Sequence, residues 1–502
     1  MPTADLLVVG GGIHGACVAR DAALRGLSVV LVEKDDLASG TSSRSSKLAH
    51  GGIRYLETRQ FALVRESLHE RGVLLRTAPG LVRPVHFLLP FYEGDARPAW
   101  FVRLGLSLYD TLAGPQDLPK HGMHEPLDAL AMEPGLPRAG LTGAAEFSDA
   151  QMDDAGLVVA NAVAAARAGA VIRTRVALTA LEAVGAGRSP MWRATLADGD
   201  TVEARAVVNA AGPWLDDVRG RARAGAGARP TLRRTRGTHI VVPQLSQHPL
   251  LLFARRDRRV FFVLPWLANW SLVGTTDTDD DGPPDDVSPT AADVRYLWDE
   301  LRARWPEAPD PSGVTARVFA GLRPLARTRS RRAWDNPREA RLVMERGLLS
   351  LVGGKFTTAR HLAQLAVDRV VHHLGIKAAR CTTDSALLPG RSDDEHLAPL
   401  ARWKNRPGES TGTPVDLARG WVELAMEHQF ARHIGDVIFR RSMLWLDAAS
   451  ARAAAPIVAR WMGEKLGWSE VERAAEVAEV LAVLDRESAV LREAGGGDAI
   501  AL

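Results

Sequence analysis

Three glycines near the amino terminus have the spacing of a loop that binds the phosphates of a dinucleotide. Gly10, Gly12 and Gly15 form G-x-G-x-x-G directly after the apolar stretch Leu6–Val9. Gly10 permits a tight turn, Gly12 lets the backbone approach a pyrophosphate, and Gly15 lets the next helix pack closely on the strand. That helix presents free N–H groups and its positive dipole end to the phosphates. Glu33 ends the next apolar stretch, where its carboxylate can accept hydrogen bonds from ribose hydroxyls. The pattern therefore predicts a dinucleotide site rather than an ordinary glycine-rich turn.

The segment that follows indicates which dinucleotide is bound. It reads DDLASGTSSRSSKLAHGGIRYLE, from Asp35 to Glu57, and is dense in hydroxyl side chains and glycine. Such residues suit a backbone that lies against a flat, polar ring system. With the glycine loop, this segment closely resembles the amino terminus of FAD-dependent glycerol-3-phosphate dehydrogenases, which belong to the flavoprotein group related to D-amino-acid oxidase. The resemblance continues, in the family's order, through VVNAAGPW, RGTHIVVP, FFVLPW, VGTTDT, AGLRPL and LVGGKFTT.

The resemblance implies an enzyme that oxidises sn-glycerol 3-phosphate to dihydroxyacetone phosphate by hydride transfer to FAD. The electrons would then pass to a membrane quinone, with oxygen as a substitute. By the same resemblance, the expected cofactor contacts are Gly10, Gly12, Gly15, Glu33, Thr41, Ser42, Ser46, Lys47, Gly212, Gly354, Lys355 and Thr357.

Oxidation of a secondary alcohol requires a base that takes the hydroxyl proton, and an imidazole with an ordinary pKa of about 6.5 suits this task. His239, in RGTHIVVP, is the first candidate because it immediately precedes an apolar strand within the family motif. His50, in KLAHGGIRY, is the second, and an orienting role is equally open to it. Lys355 follows two glycines in the loop expected beside the flavin. It could stabilise charge on the reduced ring or reach the substrate.

A three-carbon phosphate has little apolar surface, so charged side chains must anchor it. Arginine recognises phosphate oxygens in a planar, bidentate way. Arg54, Arg323 and Arg338 lie where the family uses arginine, and Tyr55 could donate its phenol to the same phosphate. After Arg338 this chain has Ala340 in place of the family's usual aromatic residue or histidine, which weakens that assignment.

Two other functions remain open at this stage. A related FAD-dependent amine or amino-acid oxidoreductase would pair one arginine with a carboxylate and would not need several cations. A non-catalytic dinucleotide-binding protein would use the glycine loop without the histidines or the GGKFTT loop.

Composition limits the partners. Lys+Arg 63 against Asp+Glu 60 gives a net charge of +3, which implies no nucleic-acid partner. Two cysteines, Cys17 and Cys381, fit a reducing compartment. The chain has no long apolar run and no evident leader, so we expect a cytoplasmic protein with, at most, peripheral membrane contact, and a homodimer is a further expectation. An acidic stretch from Asp277 to Gly282 resembles the start of an EF-hand but lacks the closing glutamate, so no metal site is predicted.

The order of motifs predicts an α/β protein with a discontinuous Rossmann-type FAD-binding domain, an inserted antiparallel-sheet substrate domain and a helical carboxyl-terminal domain. The FAD-binding domain is expected to comprise residues 1–84, 146–214 and 342–387. The substrate domain would comprise residues 85–145 and 215–341, where short Val-, Ile- and Phe-rich runs favour strands. Helical apolar periodicity assigns residues 388–502 to the third domain.

Overall fold

The computed structural model describes residues 3–115, 118–185, 191–222, 231–267, 269–327, 340–389, 410–413 and 416–495. The strands in these ranges are β1 (Ala4–Val9), β2 (Val29–Val32), β3 (Leu48–Ala49), β4 (Val82–Tyr92), β5 (Gly122–His124), β6 (Leu141–Met152), β7 (Val171–Arg173), β8 (Leu178–Val184), β9 (Met191–Leu196), β10 (Thr201–Asn209), β11 (Leu232–Pro243), β12 (Leu250–Phe253), β13 (Val260–Trp266), β14 (Trp270–Gly274), β15 (Thr278–Asp279), β16 (Arg317–Ala326), β17 (Arg341–Glu345) and β18 (Leu348–Val352). The helices are α1 (Ile13–Leu24), α2 (Phe61–Thr77), α3 (Ala99–Ala113), α4 (Pro126–Met132), α5 (Asp154–Arg167), α6 (Leu215–Arg221), α7 (Ala291–Arg304), α8 (Pro311–Val314), α9 (Ala359–Leu374), α10 (Arg419–His428), α11 (Ile434–Asp436), α12 (Ala448–Leu466) and α13 (Glu470–Glu493).

The first sheet has the order β17-β18-β10-β1-β2-β7, parallel from β18 to β7, and β9 pairs with part of β10 in antiparallel fashion and carries β8 on its other edge. β1 lies between β2 and β10, β18 continues the parallel pairing on β10, and β17 is antiparallel at the edge. The strands are runs of Val, Leu and Ala because both faces of a parallel sheet are buried. One face packs with α1, α5 and α9 around Leu6, Val8 and Leu31. The carboxyl ends of β1 and β10 meet at Gly10 and Ala210, which is where open α/β sheets bind ligands.

The second sheet has the order β15-β11-β14-β13-β12-β4-β6-β3, and β16 pairs with the other edge of β11. Its described pairings are antiparallel except for one short parallel contact between β12 and β4. The expected antiparallel sheet is thus confirmed. The domain boundaries stay predictions. The boundary placed between residues 145 and 146 falls inside β6, and the whole of β6 pairs within this second sheet.

The carboxyl-terminal segment forms a helical layer with its own core. α10, α12 and α13 pack around Val422, Ile438, Trp461 and Met462. Ser469 begins α13 with a capping box, in which its hydroxyl accepts from the backbone N–H of Glu472 and the Glu472 carboxylate accepts from the backbone of Ser469. The expected helical carboxyl-terminal region is confirmed.

Candidate active site

The glycine loop has the geometry that its spacing predicts. Gly10 has a φ of +110°, and a Cβ atom there would lie 2.7 Å from the Ala210 carbonyl oxygen. A Cβ atom at Gly15 would lie 1.8 Å from the Gly10 carbonyl oxygen, so α1 could not pack on the loop with any larger residue. At Gly12 the missing side chain leaves open space, bounded only by the Ser42 hydroxyl at 3.1 Å. The loop is therefore a cradle that a side chain at Gly12 would fill.

A single elongated cavity of about 1290 Å³ begins at this cradle and runs between the two sheets. The predicted site residues that line it are Gly10, Gly12, Glu33, Thr41, Ser42, Ser46, His50, Arg54, Tyr55, Gly212, His239, Arg323, Gly354, Lys355 and Thr357. The structure therefore brings these predicted residues, which come from separate parts of the chain, together at one cavity. Arg338 lies outside the described residues.

The cradle end of the cavity fits the adenosine and pyrophosphate parts of FAD. Glu33 accepts the backbone N–H of Gly11 at 2.6 Å and that of Asp35 at 2.9 Å, and burial raises the pKa of its carboxyl. Its carboxylate thus braces the loop from the cavity wall. The Ser42 hydroxyl accepts the N–H of Ile13 at 3.0 Å, at the amino end of α1. Free amide donors and a carboxylate at the end of the second strand are the groups that a dinucleotide requires.

The predicted cofactor contact of Lys47 stays a prediction, and its side chain is occupied by other residues. That side chain is only 4% exposed, and its ammonium lies 2.5 Å from Asp154 Oδ1 and 3.2 Å from the Ser43 carbonyl oxygen. The same ammonium lies 4.2 Å from the centre of the Trp445 ring. The Asp154 carboxylate neutralises the Lys47 ammonium, and Lys47 is not among the residues that line the cavity.

His239 is enclosed by the two strands that flank β11. Its ring stacks on Phe319 of β16, with centroids 5.3 Å apart and an interplanar angle of 18°. On β14 the facing residue is Gly274, where a Cβ atom would lie 2.4 Å from the imidazole Cδ2. Nε2 lies 2.9 Å from the Ser46 hydroxyl, while Nδ1 is buried without a hydrogen-bond partner among the described residues. Nε2 is therefore the nitrogen that is hydrogen-bonded to another residue of the cavity lining.

The electrostatic surroundings keep this imidazole neutral. Burial lowers the pKa of His239 to about 3, and the positive charges of Arg323 and Lys47 act in the same direction. A neutral imidazole is the form that accepts a proton. His50 also lines the cavity, and its carbonyl oxygen accepts the Thr357 hydroxyl at 3.5 Å.

Three cations line the same cavity as His239, and the charge of Arg323 acts on the imidazole. Arg323 donates to the Thr275 hydroxyl at 2.8 Å and to Asp277 Oδ1 at 3.2 Å. Arg54 donates to the phenol oxygen of Tyr55 at 3.0 Å. The Lys355 ammonium donates to the Ser67 hydroxyl at 3.1 Å and lies 4.0 Å from the centre of the Tyr55 ring. This end of the cavity is thus suited to an anion.

Sequence reasoning missed two acids that line the cavity and hold other residues of the site. Asp277, in VGTTDT, orients Arg323, and Asp149, in FSDAQMDD, accepts the N–H of Gly51 at 3.2 Å and the phenol O–H of Tyr109 at 2.9 Å. Both were within motifs that carried the resemblance, which was the available signal. The neighbouring acids of the EF-hand-like stretch form ion pairs, Asp279 with Arg233 and Asp280 with Arg236. In the described part of the chain, potential metal ligands gather only at His433, Glu476 and Glu479, where His433 is already hydrogen-bonded to Glu476.

Comparisons with known proteins agree with this site. A family model described as FAD dependent oxidoreductase matches residues 5–369, and one described as the C-terminal domain of alpha-glycerophosphate oxidase matches residues 396–473. A D-erythritol 1-phosphate dehydrogenase from Brucella abortus (strain 2308) is 38% identical over 500 residues, covering 95% of this chain and 97% of that protein. A glycerol-3-phosphate dehydrogenase from Pseudomonas aeruginosa is 35% identical over 491 residues, covering 88% and 92%.

Among solved structures, the glycerol-3-phosphate dehydrogenase from Bacillus halodurans complexed with FAD superposes with a TM-score of 0.77 at 25% identity, covering 97% of this chain and 95% of that one. The chain therefore belongs to the FAD-dependent oxidoreductase family, in the group of the glycerol-3-phosphate dehydrogenases, and FAD is its cofactor. The resemblance inferred from the motifs is confirmed.

Proposed function

We propose that the protein oxidises the secondary hydroxyl of sn-glycerol 3-phosphate to the ketone of dihydroxyacetone phosphate. The observation that carries this proposal is the position of His239, a buried and neutral imidazole that lines the same cavity as Arg323, Arg54 and Lys355. One basic nitrogen and several cations in one cavity match a substrate that loses the proton of one hydroxyl and is held by its phosphate.

Each side chain has a separate task in this proposal. When bound, FAD accepts the hydride. Arg323, held in place by Thr275 and Asp277, offers a guanidinium fork to the phosphate oxygens. His239 takes the hydroxyl proton at Nε2, where the substrate hydroxyl replaces the Ser46 hydroxyl as hydrogen-bond partner. The ammonium of Lys355 provides positive charge on the cavity wall opposite, beside Tyr55.

The proposal continues to the electron acceptor, for which we favour a membrane quinone, with oxygen as a substitute. α3 exposes Trp100, Phe101 and Leu104, whose side chains are 68%, 42% and 63% exposed, and the last two line the mouth of the cavity. Arg97 and Arg103 flank them. An apolar helix face with arginines suits peripheral contact with an anionic lipid surface. No helix in the described ranges is long and apolar enough to cross a bilayer. A homodimer stays a prediction.

This contact is tested by flotation with vesicles that contain phosphatidylglycerol. Replacing Trp100 and Leu104 with serine should abolish co-flotation, whereas Val471→Ser, at an equally exposed residue on α13, should leave it intact. Equal flotation of both variants would remove α3 from the proposed contact.

A second candidate substrate is a four-carbon polyol phosphate, because the relative at 38% identity is named for D-erythritol 1-phosphate. The two substrates share the phosphate and a secondary hydroxyl, so the same residues serve both. The longer chain adds one carbon and one hydroxyl.

Anaerobic bleaching of the bound flavin distinguishes these possibilities. The purified protein should be yellow and should be bleached by glycerol 3-phosphate faster than by D-erythritol phosphate, glycerol or an amino-acid panel. Faster bleaching by the four-carbon phosphate would make that compound the substrate. Bleaching by an amino acid alone would place the protein among the amine oxidoreductases, and a colourless protein would contradict the proposal.

A further inference from the structure

An aromatic residue of the helical carboxyl-terminal segment contacts the ring on which the candidate base stacks. Trp445 lies in the short turn Leu444–Leu446, between α11 and α12, and is 7% exposed. Its ring does not pack with the core of its own helical layer. It belongs instead to the apolar cluster beneath the substrate sheet, together with Phe319, Trp266 and Tyr55.

One contact of Trp445 is with the ring on which the His239 imidazole stacks. Phe319 faces His239 across the β11–β16 pairing and stacks on its imidazole. Trp445 meets the Phe319 ring edge-on, with centroids 6.1 Å apart and an interplanar angle of 88°. Such perpendicular arrangements of aromatic rings are favourable. Because Gly274 leaves room only for the imidazole on the other side, Phe319 and Trp445 together fix the tilt of the ring.

A second contact reaches the hydrogen-bond partner of His239. Ser46 contacts Nε2, and the next residue, Lys47, places its ammonium 4.2 Å from the centre of the Trp445 ring. This is a cation–π contact inside the protein. The ion pair of Lys47 with Asp154 holds the same ammonium from the other side. Trp445 thus touches both the residue on which the imidazole stacks and the residue next to its hydrogen-bond partner.

The turn that carries Trp445 is itself fixed. Arg317, at the start of β16, donates to the Trp445 carbonyl oxygen at 2.6 Å and pairs with Glu487 of α13. Arg441 binds both carboxylate oxygens of Asp36, at 2.5 and 2.7 Å, and both side chains are buried. The helical layer is therefore clamped at the substrate sheet and at the loop that follows Glu33.

We propose that Trp445 is a positioning residue of the reaction, through which the carboxyl-terminal helical layer sets the orientation of the His239 imidazole. The inference rests on the proposed role of His239 as the base. It assigns an active-site task to a part of the chain that lies outside the cavity lining. Removal of the Trp445 ring takes away the edge-on contact of Phe319 and the cation–π contact of Lys47, so the stacking partner of the imidazole and the segment that carries Ser46 are both less restrained.

The test measures flavin reduction by rapid mixing in the full-length holoenzyme, at several glycerol 3-phosphate concentrations. Trp445→Leu should keep its FAD content and the substrate concentration for half-maximal rate within about threefold. Its limiting reduction rate should fall by about 10- to 100-fold, since small displacements of reacting groups have effects of this size. Trp445→Phe, which keeps an aromatic ring, should recover most of the rate. Phe319→Leu should reproduce the loss even if Trp445→Leu does not fold.

The matched control is Trp461→Leu, which removes another buried tryptophan from the same helical layer, in a different apolar cluster from Phe319. It should reduce flavin at the wild-type rate. Equal slowing in Trp461→Leu and Trp445→Leu would show a general loss of stability and overturn the inference, as would a wild-type rate in both Trp445→Leu and Phe319→Leu.

A double variant separates the inference from the proposed function. In a His239→Gln background, Trp445→Leu should cause no further slowing, because the group that it positions is gone. A wild-type rate in His239→Gln alone would contradict the base assignment itself. Slow His239→Gln with additive slowing from Trp445→Leu would keep the base and overturn the role of Trp445.

Discussion

At the scale of single residues, the site depends on charges that the protein has already oriented. Arg323 is held by Thr275 and Asp277, and Gly237 makes space for it, since a Cβ atom there would lie 2.2 Å from the guanidinium. His239 has no carboxylate partner among the described residues, and burial keeps it uncharged. A substrate phosphate bound beside Arg323 and His239 would therefore contact an oriented guanidinium, next to an imidazole that is neutral and can accept a proton.

Removing the Arg323 guanidinium should weaken recognition of the phosphate. Loss of one charge-assisted hydrogen-bonded pair costs about 1.5–3 kcal/mol, so kcat/KM for glycerol 3-phosphate should fall about 10- to 150-fold in Arg323→Ala. Glycerol, which lacks the phosphate, should react equally poorly with both proteins. Arg233→Ala is the control, because Arg233 pairs with Asp279 outside the cavity. An unchanged preference for the phosphorylated substrate in Arg323→Ala would assign the anchor to another cation.

The pH dependence of flavin reduction should report the ionisation of His239. Without an anion nearby, burial and the neighbouring cations lower the pKa of His239 to about 3. A bound phosphate stabilises the imidazolium and raises that pKa. At saturating substrate the reduction rate should therefore rise with pH through one ionisation and then stay constant, since only neutral imidazole accepts the proton. Persistence of the same ionisation in His239→Gln would assign it to another group.

At the scale of elements, the cofactor site depends on how closely a helix approaches a strand. The unit β1–α1–β2 could be predicted from sequence because its glycines, apolar runs and Glu33 act within a short segment. Sequence could not show that the Lys47 ammonium pairs with Asp154 or that Phe319 faces His239. Those contacts join distant segments and follow from the pairing of whole sheets.

The glycine loop gives a test at this scale. Gly12→Val would place two methyl groups in the cradle, close to Ser42, and the purified protein should lose bound FAD. Gly220→Val, on α6, is the control, because a Cβ atom there meets nothing within 4 Å. The ratio of visible flavin absorbance to protein concentration measures the loss. Full occupancy in Gly12→Val would show that the pyrophosphate does not bind at this loop.

At the scale of the whole molecule, residues of both sheets line one cavity, and the described part of the helical layer packs behind them without lining it. β11 and β16 carry the proposed base and the proposed anion anchor, the first sheet carries the cradle, and Arg441 ties the helical layer to Asp36. The sequence predicted these parts and their order. It did not predict the contact of the third part with the other two, because Trp445 and Arg441 meet Phe319 and Asp36, which lie far away along the chain.

Burial of His14 and His239 in the folded protein should make its free energy of unfolding fall at acidic pH. Burial lowers the pKa of His14 to about 4 and that of His239 to about 3, whereas both titrate near 6.5 when unfolded. Below about pH 6.5 the unfolded chain binds protons that the folded chain does not, so stability falls as pH falls. Each histidine contributes up to about 1.4 kcal/mol per pH unit. Urea unfolding between pH 5 and 7.5 should show a shallower slope in His239→Gln, and an unchanged slope would contradict the burial of a neutral imidazole there.

The central claim is that His239, rather than His50, takes the substrate proton. Rapid mixing of the anaerobic holoenzyme with saturating glycerol 3-phosphate measures it directly, with His239→Gln and His50→Gln beside the wild type. His239→Gln keeps bulk and hydrogen-bonding capacity but cannot act as the base. It should retain FAD and substrate affinity while flavin bleaching slows by about 10²–10⁴-fold. Bleaching at the wild-type rate in His239→Gln, with slow bleaching in His50→Gln, would contradict the claim and make His50 the base.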